Sequence, residues 1–127
     1  MKYLLDTHTF LWLIGSENLS ETVRKVFLDP NNQLYLSAAS YWEICIKVGL
    51  GKLAVTPDWM ERFDQELTIN DIRWLPVEKA HAQQVVYLPL LHRDPFDRIL
   101  IAQALVEKMI ILTIDEKIQQ YVVPTQW

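Results

Sequence analysis

The chain has 127 residues, half of them hydrophobic and 22% charged, which suits one folded domain over residues 1–127 and excludes a disordered chain. The net charge of −4 argues against a broadly basic surface for non-specific nucleic-acid binding. The single cysteine, Cys45, allows no disulfide within the chain, Asp6 comes too early for a signal peptide, and no apolar run approaches the ~20 residues of a membrane span. These features predict a protein of the cytoplasm.

Apolar runs and helical segments alternate along the first half of the chain. Residues 2–5 predict a buried strand, and residues 7–14 predict a helix that Gly15 ends. The pattern then predicts a helix capped by Ser20 and stopped by Asp29-Pro30, a strand at 34–36, a helix from Ser40 to about Val48, and a helix after Thr56-Pro57. Residues 49–70 are a helical insertion in this alternating pattern.

The second half continues the alternation and defines the fold class. It predicts a strand at 72–75, a helix at 78–86, a loop at 88–93, a helix from Asp94-Pro95 to about Lys108, a strand at 110–114, a short helix at 115–120 and an edge strand at 121–123. Alternating strands and helices form a parallel sheet that is covered on both faces. We therefore predict an α/β fold, a three-layer α/β/α sandwich around a central parallel sheet of four or five strands.

Four acidic residues fall where a strand ends or a helix begins. Asp6 and Asp115 follow apolar strands, and Glu43 and Asp97 open apolar helices. Because the carboxyl ends of parallel strands face one crevice, we expect these side chains to converge there. Converging carboxylates repel one another unless a cation lies among them, and Mg²⁺ or Mn²⁺ prefers oxygen ligands. The sequence therefore predicts a divalent metal site, which suggests phosphate chemistry.

Helix capping is the alternative explanation for the same acids. Ser40 and Glu43 match the spacing of a capping box, and Asp94 before Pro95 suits an N-cap with Asp97 in the first turn. For any one acid taken alone, capping is the more frequent role. Capping does not explain why two of the acids end strands that are otherwise wholly apolar, so both interpretations stay open on the residues alone.

Four segments of the chain resemble a PIN-domain nuclease, most closely the VapC-type ribonuclease toxins of bacterial toxin–antitoxin pairs. They cover residues 4–12, 37–44, 94–104 and 112–115. The Asp-Pro-Phe-Asp-Arg block that begins at Asp94 and the Trp-Glu pair at the helix start are the specific parts. The resemblance implies a Mg²⁺- or Mn²⁺-dependent endoribonuclease that hydrolyses RNA, is restrained by a small antitoxin protein and is commonly a homodimer.

The resemblance also implies roles for individual residues. The catalytic acids, which would also be the metal ligands, are Asp6, Glu43, Asp97 and Asp115. Thr113 matches the family's hydroxyl helper near the end of the strand. Arg98 follows Asp97 directly and is expected to orient the acid cluster. Asp94 is expected to act more often as a helix cap than as a ligand.

Two other classes of function remain as alternatives. One is an acid-rich α/β phosphatase, but phosphatases of the haloacid-dehalogenase type carry a second Asp two residues after the first, where this chain has His8. The other is a PIN-like module that binds RNA or protein without cleaving it. The presence of all four acids argues against such a module. A cleavage assay with RNA, metal and chelator would separate these classes.

Overall fold

The computed structural model describes residues 1–15 and 18–127, and five of its segments form strands. These are β1 (Lys2–Leu5), β2 (Gln33–Ser37), β3 (Ile72–Leu75), β4 (Ile110–Leu112) and β5 (Thr125–Gln126). They form one parallel sheet in the order β3-β2-β1-β4-β5. The predicted parallel sheet of an α/β sandwich is thereby confirmed, with β1 at its centre.

Helices connect the strands and cover both faces of the sheet, as parallel pairing requires. They are α1 (Thr7–Gly15), α2 (Glu21–Leu28), α3 (Ala38–Gly49), α4 (Trp59–Ile69), α5 (Lys79–Val85), α6 (Pro95–Glu107) and α7 (Glu116–Gln119). None of the helices in the described part of the chain has the length and apolar character needed to cross a bilayer.

The alternation of side chains along β1 divides the core in two. Leu5 packs on one face of the sheet with Phe10 of α1 and Phe63 of α4, whose rings meet edge to face with centroids 5.6 Å apart. Leu4 packs on the other face with Leu100 of α6. Successive strand residues point to opposite faces, so a wholly apolar strand contributes to both cores. Because β1 is buried on both faces of the sheet, the position of its end is well defined, and so is the position of the residue that follows it.

Three predicted boundaries were wrong. The fourth strand ends at Leu112, two residues earlier than predicted. The edge strand lies at 125–126 and pairs with β4, whereas 121–123 is a bend that forms no strand, with Tyr121 buried against the core that contains Leu4 and Val122 exposed. The helix predicted from Ser40 begins at Ala38, because the hydroxyl of Ser37 accepts the backbone N–H of Ala39 at 3.0 Å and caps it.

The start of α3 provides a matched pair of serine variants. Ser37→Ala removes the capping hydroxyl and is expected to lower the free energy of unfolding by about 1 kcal/mol. Ser40→Ala is expected to leave it unchanged or slightly higher, because the buried Ser40 hydroxyl has no hydrogen-bond partner among the described residues. Chemical denaturation of both variants checks this. If Ser40→Ala lowered the free energy of unfolding more than Ser37→Ala, the helix would begin at Ser40, as the sequence predicted.

Candidate functional site

Asp6 lies directly beyond β1, at the carboxyl edge of the sheet, and it is buried. One carboxylate oxygen, Oδ1, accepts the backbone N–H of Thr9 at 2.7 Å, so Asp6 caps α1. The other, Oδ2, accepts the hydroxyl of Thr113, the residue after β4, at 2.5 Å. Because β1 and β4 are neighbours in the sheet, this bond joins two strand ends and holds the carboxylate in one orientation.

Thr113 connects Asp6 to a second predicted acid. Its buried Oγ1, which donates to Asp6, also accepts the backbone N–H of Asp115 at 2.9 Å. The Asp115 carboxylate is half-buried, and its Oδ1 accepts the N–H of Lys117 at 2.9 Å, which caps α7. A single hydroxyl therefore fixes the Asp6 carboxylate and the backbone of the β4–α7 loop together.

Glu43 approaches the same edge from α3. Its Oε1 accepts the hydroxyl of Thr7 at 2.6 Å, and Thr7 is the residue after Asp6. Its Oε2 lies 3.5 Å from Nζ of Lys47, the i,i+4 ion pair expected for a helix surface. The capping-box role considered for Glu43 was wrong, because the cap of α3 is Ser37 and not Ser40.

The start of α6 brings Asp94 and Asp97 to the site. Asp94 is the N-cap, since its Oδ1 accepts the N–H groups of Phe96 at 2.9 Å and Asp97 at 3.2 Å. Asp97 Oδ2 lies 3.0 Å from Nε2 of His92.

Burial, together with the nearby negative charges of Asp94 and Asp115, raises the pKa of Asp97 to about 6, although the hydrogen bond from His92 opposes the rise. Asp97 therefore shares one negatively charged region with acids from two different loops.

Arg98 makes its hydrogen bonds away from the carboxylates. It is buried, and Nη1 of its guanidinium donates to the carbonyl of Pro89 at 2.7 Å and to the hydroxyl of Tyr121 at 2.9 Å. It forms no salt bridge with a carboxylate of the described ranges, so any orientation of the acids by Arg98 is indirect. Side-chain hydrogen bonds connect it to Asp97 through Tyr121 and His92.

The chemistry of these donors fits a hard divalent cation. The acids offer carboxylate oxygens, which such cations prefer. Within residues 1–15 and 18–127, two of the four predicted acids form ion pairs, Glu43 with Lys47 and Asp97 with His92. The raised pKa of Asp97 reflects burial and negative charge that a cation would compensate. In the same described ranges, no group of three or more His, Cys, Asp or Glu side chains lies close enough together to hold a metal ion as the side chains stand.

Sequence reasoning missed two contributors to the site and undervalued a third. Thr7, next to Asp6, binds Glu43, and an N-terminal helix hydroxyl beside an acid was the available indication. His92 entered the sequence prediction only as part of the loop at 88–93. Tyr121 was assigned to an edge strand, and no local pattern indicated its contact with His92, which lies 29 residues earlier.

The fold and the site together define an α/β sandwich with an acidic site at the carboxyl edge of a parallel sheet. Residues 3–123 match the model of the PIN domain, so the chain belongs to the PIN domain family. No curated protein gives a significant match.

Solved structures share the fold over nearly their whole length. The chain is similar to one in VapBC2 from Rickettsia felis bound to a promoter DNA fragment (TM-score 0.78, 16% identity, 99% of this chain and 98% of that one). It is also similar to one in VapBC-1 from nontypeable Haemophilus influenzae (0.69, 19%, 99% and 97%). A third match is a toxin–antitoxin complex from Klebsiella pneumoniae (0.64, 14%, 98% and 96%).

Proposed function

We propose that this protein is a divalent-metal-dependent endoribonuclease and the toxin of a toxin–antitoxin pair. The proposal is supported by the family of the chain and by contacts near the carboxyl edge of its sheet, where Thr113 links Asp6 to the Asp115 backbone, Thr7 bonds Glu43, and the charge of Asp115 acts on Asp97. The acids that would hold Mg²⁺ or Mn²⁺ are Asp6, Glu43, Asp97 and Asp115. When bound, the cation supplies charge stabilisation at the scissile phosphate and lowers the pKa of water.

The chain's own hydrogen bonds prepare these acids for that role. Thr113 and the α1 amide hold Asp6, and Thr7 holds Glu43, so neither carboxylate has to be ordered when the ion binds. Asp94 acts as the cap of α6, which sets the direction from which Asp97 enters the site. Pre-oriented ligands reduce the entropy lost on binding.

We further propose an inhibitory antitoxin as the partner and a homodimer as the assembly, in the cytoplasm where RNA is available. Support comes from the structures of similar fold, which are VapBC and toxin–antitoxin complexes. An exposed apolar surface beside the acids is also typical of protein contacts: the ring of Trp42, 63% exposed, packs edge-on against Phe96, with ring centroids 5.4 Å apart.

The test is an RNA cleavage assay on the purified protein. Incubation of single-stranded RNA with Mg²⁺ or Mn²⁺ is expected to give internal cuts, chelator is expected to stop them, and renewed Mn²⁺ to restore them. Asp97→Asn protein, purified identically, reports any contaminating ribonuclease, since contamination would cut in both preparations.

Three outcomes would contradict the proposal. Retention of RNA without cutting, in the presence of either metal, would favour the PIN-like binding module. Cutting that is equal in chelator and in metal would remove the role assigned to the acids. Release of phosphate from small phosphomonoesters without RNA cleavage would favour the phosphatase.

A further inference from the structure

Four side chains form a continuous hydrogen-bonded row that ends at Asp97. Arg98 Nη1 lies 2.9 Å from the Tyr121 hydroxyl, and this hydroxyl lies 2.8 Å from His92 Nδ1. His92 Nε2 then lies 3.0 Å from Asp97 Oδ2. The row joins three segments of the chain: Tyr121 lies after α7, His92 lies in the loop before α6, and Arg98 and Asp97 belong to α6.

The chemistry of Arg98 sets the direction of the first bond in the row, and one tautomer of His92 continues that direction to Asp97. A guanidinium has only donors, so the oxygen of Tyr121 must accept from it. The Tyr121 hydroxyl hydrogen is then free to donate to Nδ1 of His92. With Nδ1 accepting, the ring carries its hydrogen on Nε2, which donates to Asp97.

Burial and further contacts restrain the side chains of the row. Arg98 and Tyr121 are both buried, and Arg98 also donates to the Pro89 carbonyl at 2.7 Å. The Arg98 guanidinium carbon lies 5.9 Å from the centre of the Tyr121 ring, and the His92 and Tyr121 rings meet at 65°. Arg98, Tyr121 and His92 therefore each have at least one further contact that limits rotation, and His92 cannot turn away from Asp97 without breaking the bond to Tyr121.

We infer that Arg98, Tyr121 and His92 are positioning residues that fix the Asp97 carboxylate for the divalent ion. None of them is assigned to the ion or the RNA; they act through Asp97. Side chains that hold a metal-binding carboxylate from behind typically change metal affinity or activity 10–100-fold when replaced. The inference rests on the proposed function, because it requires that Asp97 binds a cation.

The test uses Tyr121→Phe, which keeps the buried ring and removes only the hydroxyl. We expect the dissociation constant for Mn²⁺, measured from the electron paramagnetic resonance signal of free Mn²⁺, to rise about 10-fold. Tyr35→Phe is the matched control, since it removes a half-buried hydroxyl that bonds Gln33 at 3.2 Å on β2. Its Mn²⁺ affinity should equal that of the parent.

A second variant keeps the test valid if Tyr121→Phe folds poorly. His92→Leu replaces a ring in the loop before α6 and should also weaken Mn²⁺ about 10-fold. Because Tyr121 acts through His92, the double variant should be no weaker than His92→Leu alone. Additive losses of Mn²⁺ affinity would overturn the inference, because they would mean that Tyr121 and His92 act independently.

Nuclear magnetic resonance provides a readout that needs no metal. Long-range ¹H–¹⁵N correlation of the metal-free parent should show His92 with its hydrogen on Nε2, and Tyr121→Phe should lose this single tautomer. If the parent protein binds no Mn²⁺, both the proposed function and the positioning role of the row are overturned. If the parent binds Mn²⁺ and Tyr121→Phe binds it equally tightly, only the positioning role is overturned.

Discussion

Asp97→Asn is expected to lower RNA cleavage by at least about 10³-fold, because it removes a carboxylate assigned to the metal, whose charge stabilisation is worth several kcal/mol. The same variant is expected to melt at a higher temperature than the parent in chelator at neutral pH. Burial and the charges of Asp94 and Asp115 raise the pKa of Asp97 to about 6, so its ionised form is unfavourable in the folded protein. Asparagine carries no charge and can still accept from His92.

The effect on stability should depend on pH with a defined sign. The folded-state pKa of about 6 lies above the ordinary value of about 3.9, so between these values the folded state binds more protons than the unfolded state. The parent therefore loses stability as the pH rises through this window. The advantage of Asp97→Asn should be absent below about pH 4 and complete above about pH 6. Thermal melts in chelator across this window measure it.

Asp58→Asn is the control with the opposite sign. The hydrogen bond from Thr56, 2.7 Å long, lowers the pKa of Asp58, so this exposed carboxylate favours the folded state. Its replacement should not raise the melting temperature at neutral pH. An equal rise in both variants would indicate a general effect of net charge, and a fall for Asp97→Asn would mean that its place in the first turn of α6 outweighs the repulsion.

The positions of the acids could be predicted because they depend on strand ends. Apolar runs fixed β1 and β4 closely enough to place Asp6 and Asp115 at one edge of a parallel sheet. The start of α6 was equally clear, since Asp94-Pro95 combines an N-cap with a first-turn proline. In each case a few neighbouring residues determine the local structure.

The connections behind the acids could not be predicted, because they join residues that are distant in the chain. The Thr113 hydroxyl that binds Asp6 comes from 107 residues away, and Tyr121 contacts His92 from 29 residues away. The prediction of the start of α3 was wrong for a different reason. Two serines three residues apart both suit an N-cap, and only the end of β2 at Ser37 decides between them.

Thr113→Val is expected to lower RNA cleavage by about 10–100-fold. Valine fills nearly the same volume and offers no hydroxyl, so Asp6 Oδ2 loses its donor and the N–H of Asp115 loses its acceptor. Both groups lie at a buried strand end, and the free energy of unfolding should fall by about 1–3 kcal/mol. Cleavage rates at saturating Mg²⁺ and denaturant melts give the two quantities.

Thr113→Ser separates the hydroxyl from the methyl group. Serine restores both hydrogen bonds and lacks only the methyl, so most of the lost cleavage should return even if packing is weaker. If serine were as impaired as valine, the buried methyl of Thr113 would be the important group and the orientation of Asp6 would not depend on the hydroxyl. Because Asp6 and Asp115 both bond to this oxygen, recovery would tie the geometry of two of the proposed metal ligands to one side chain.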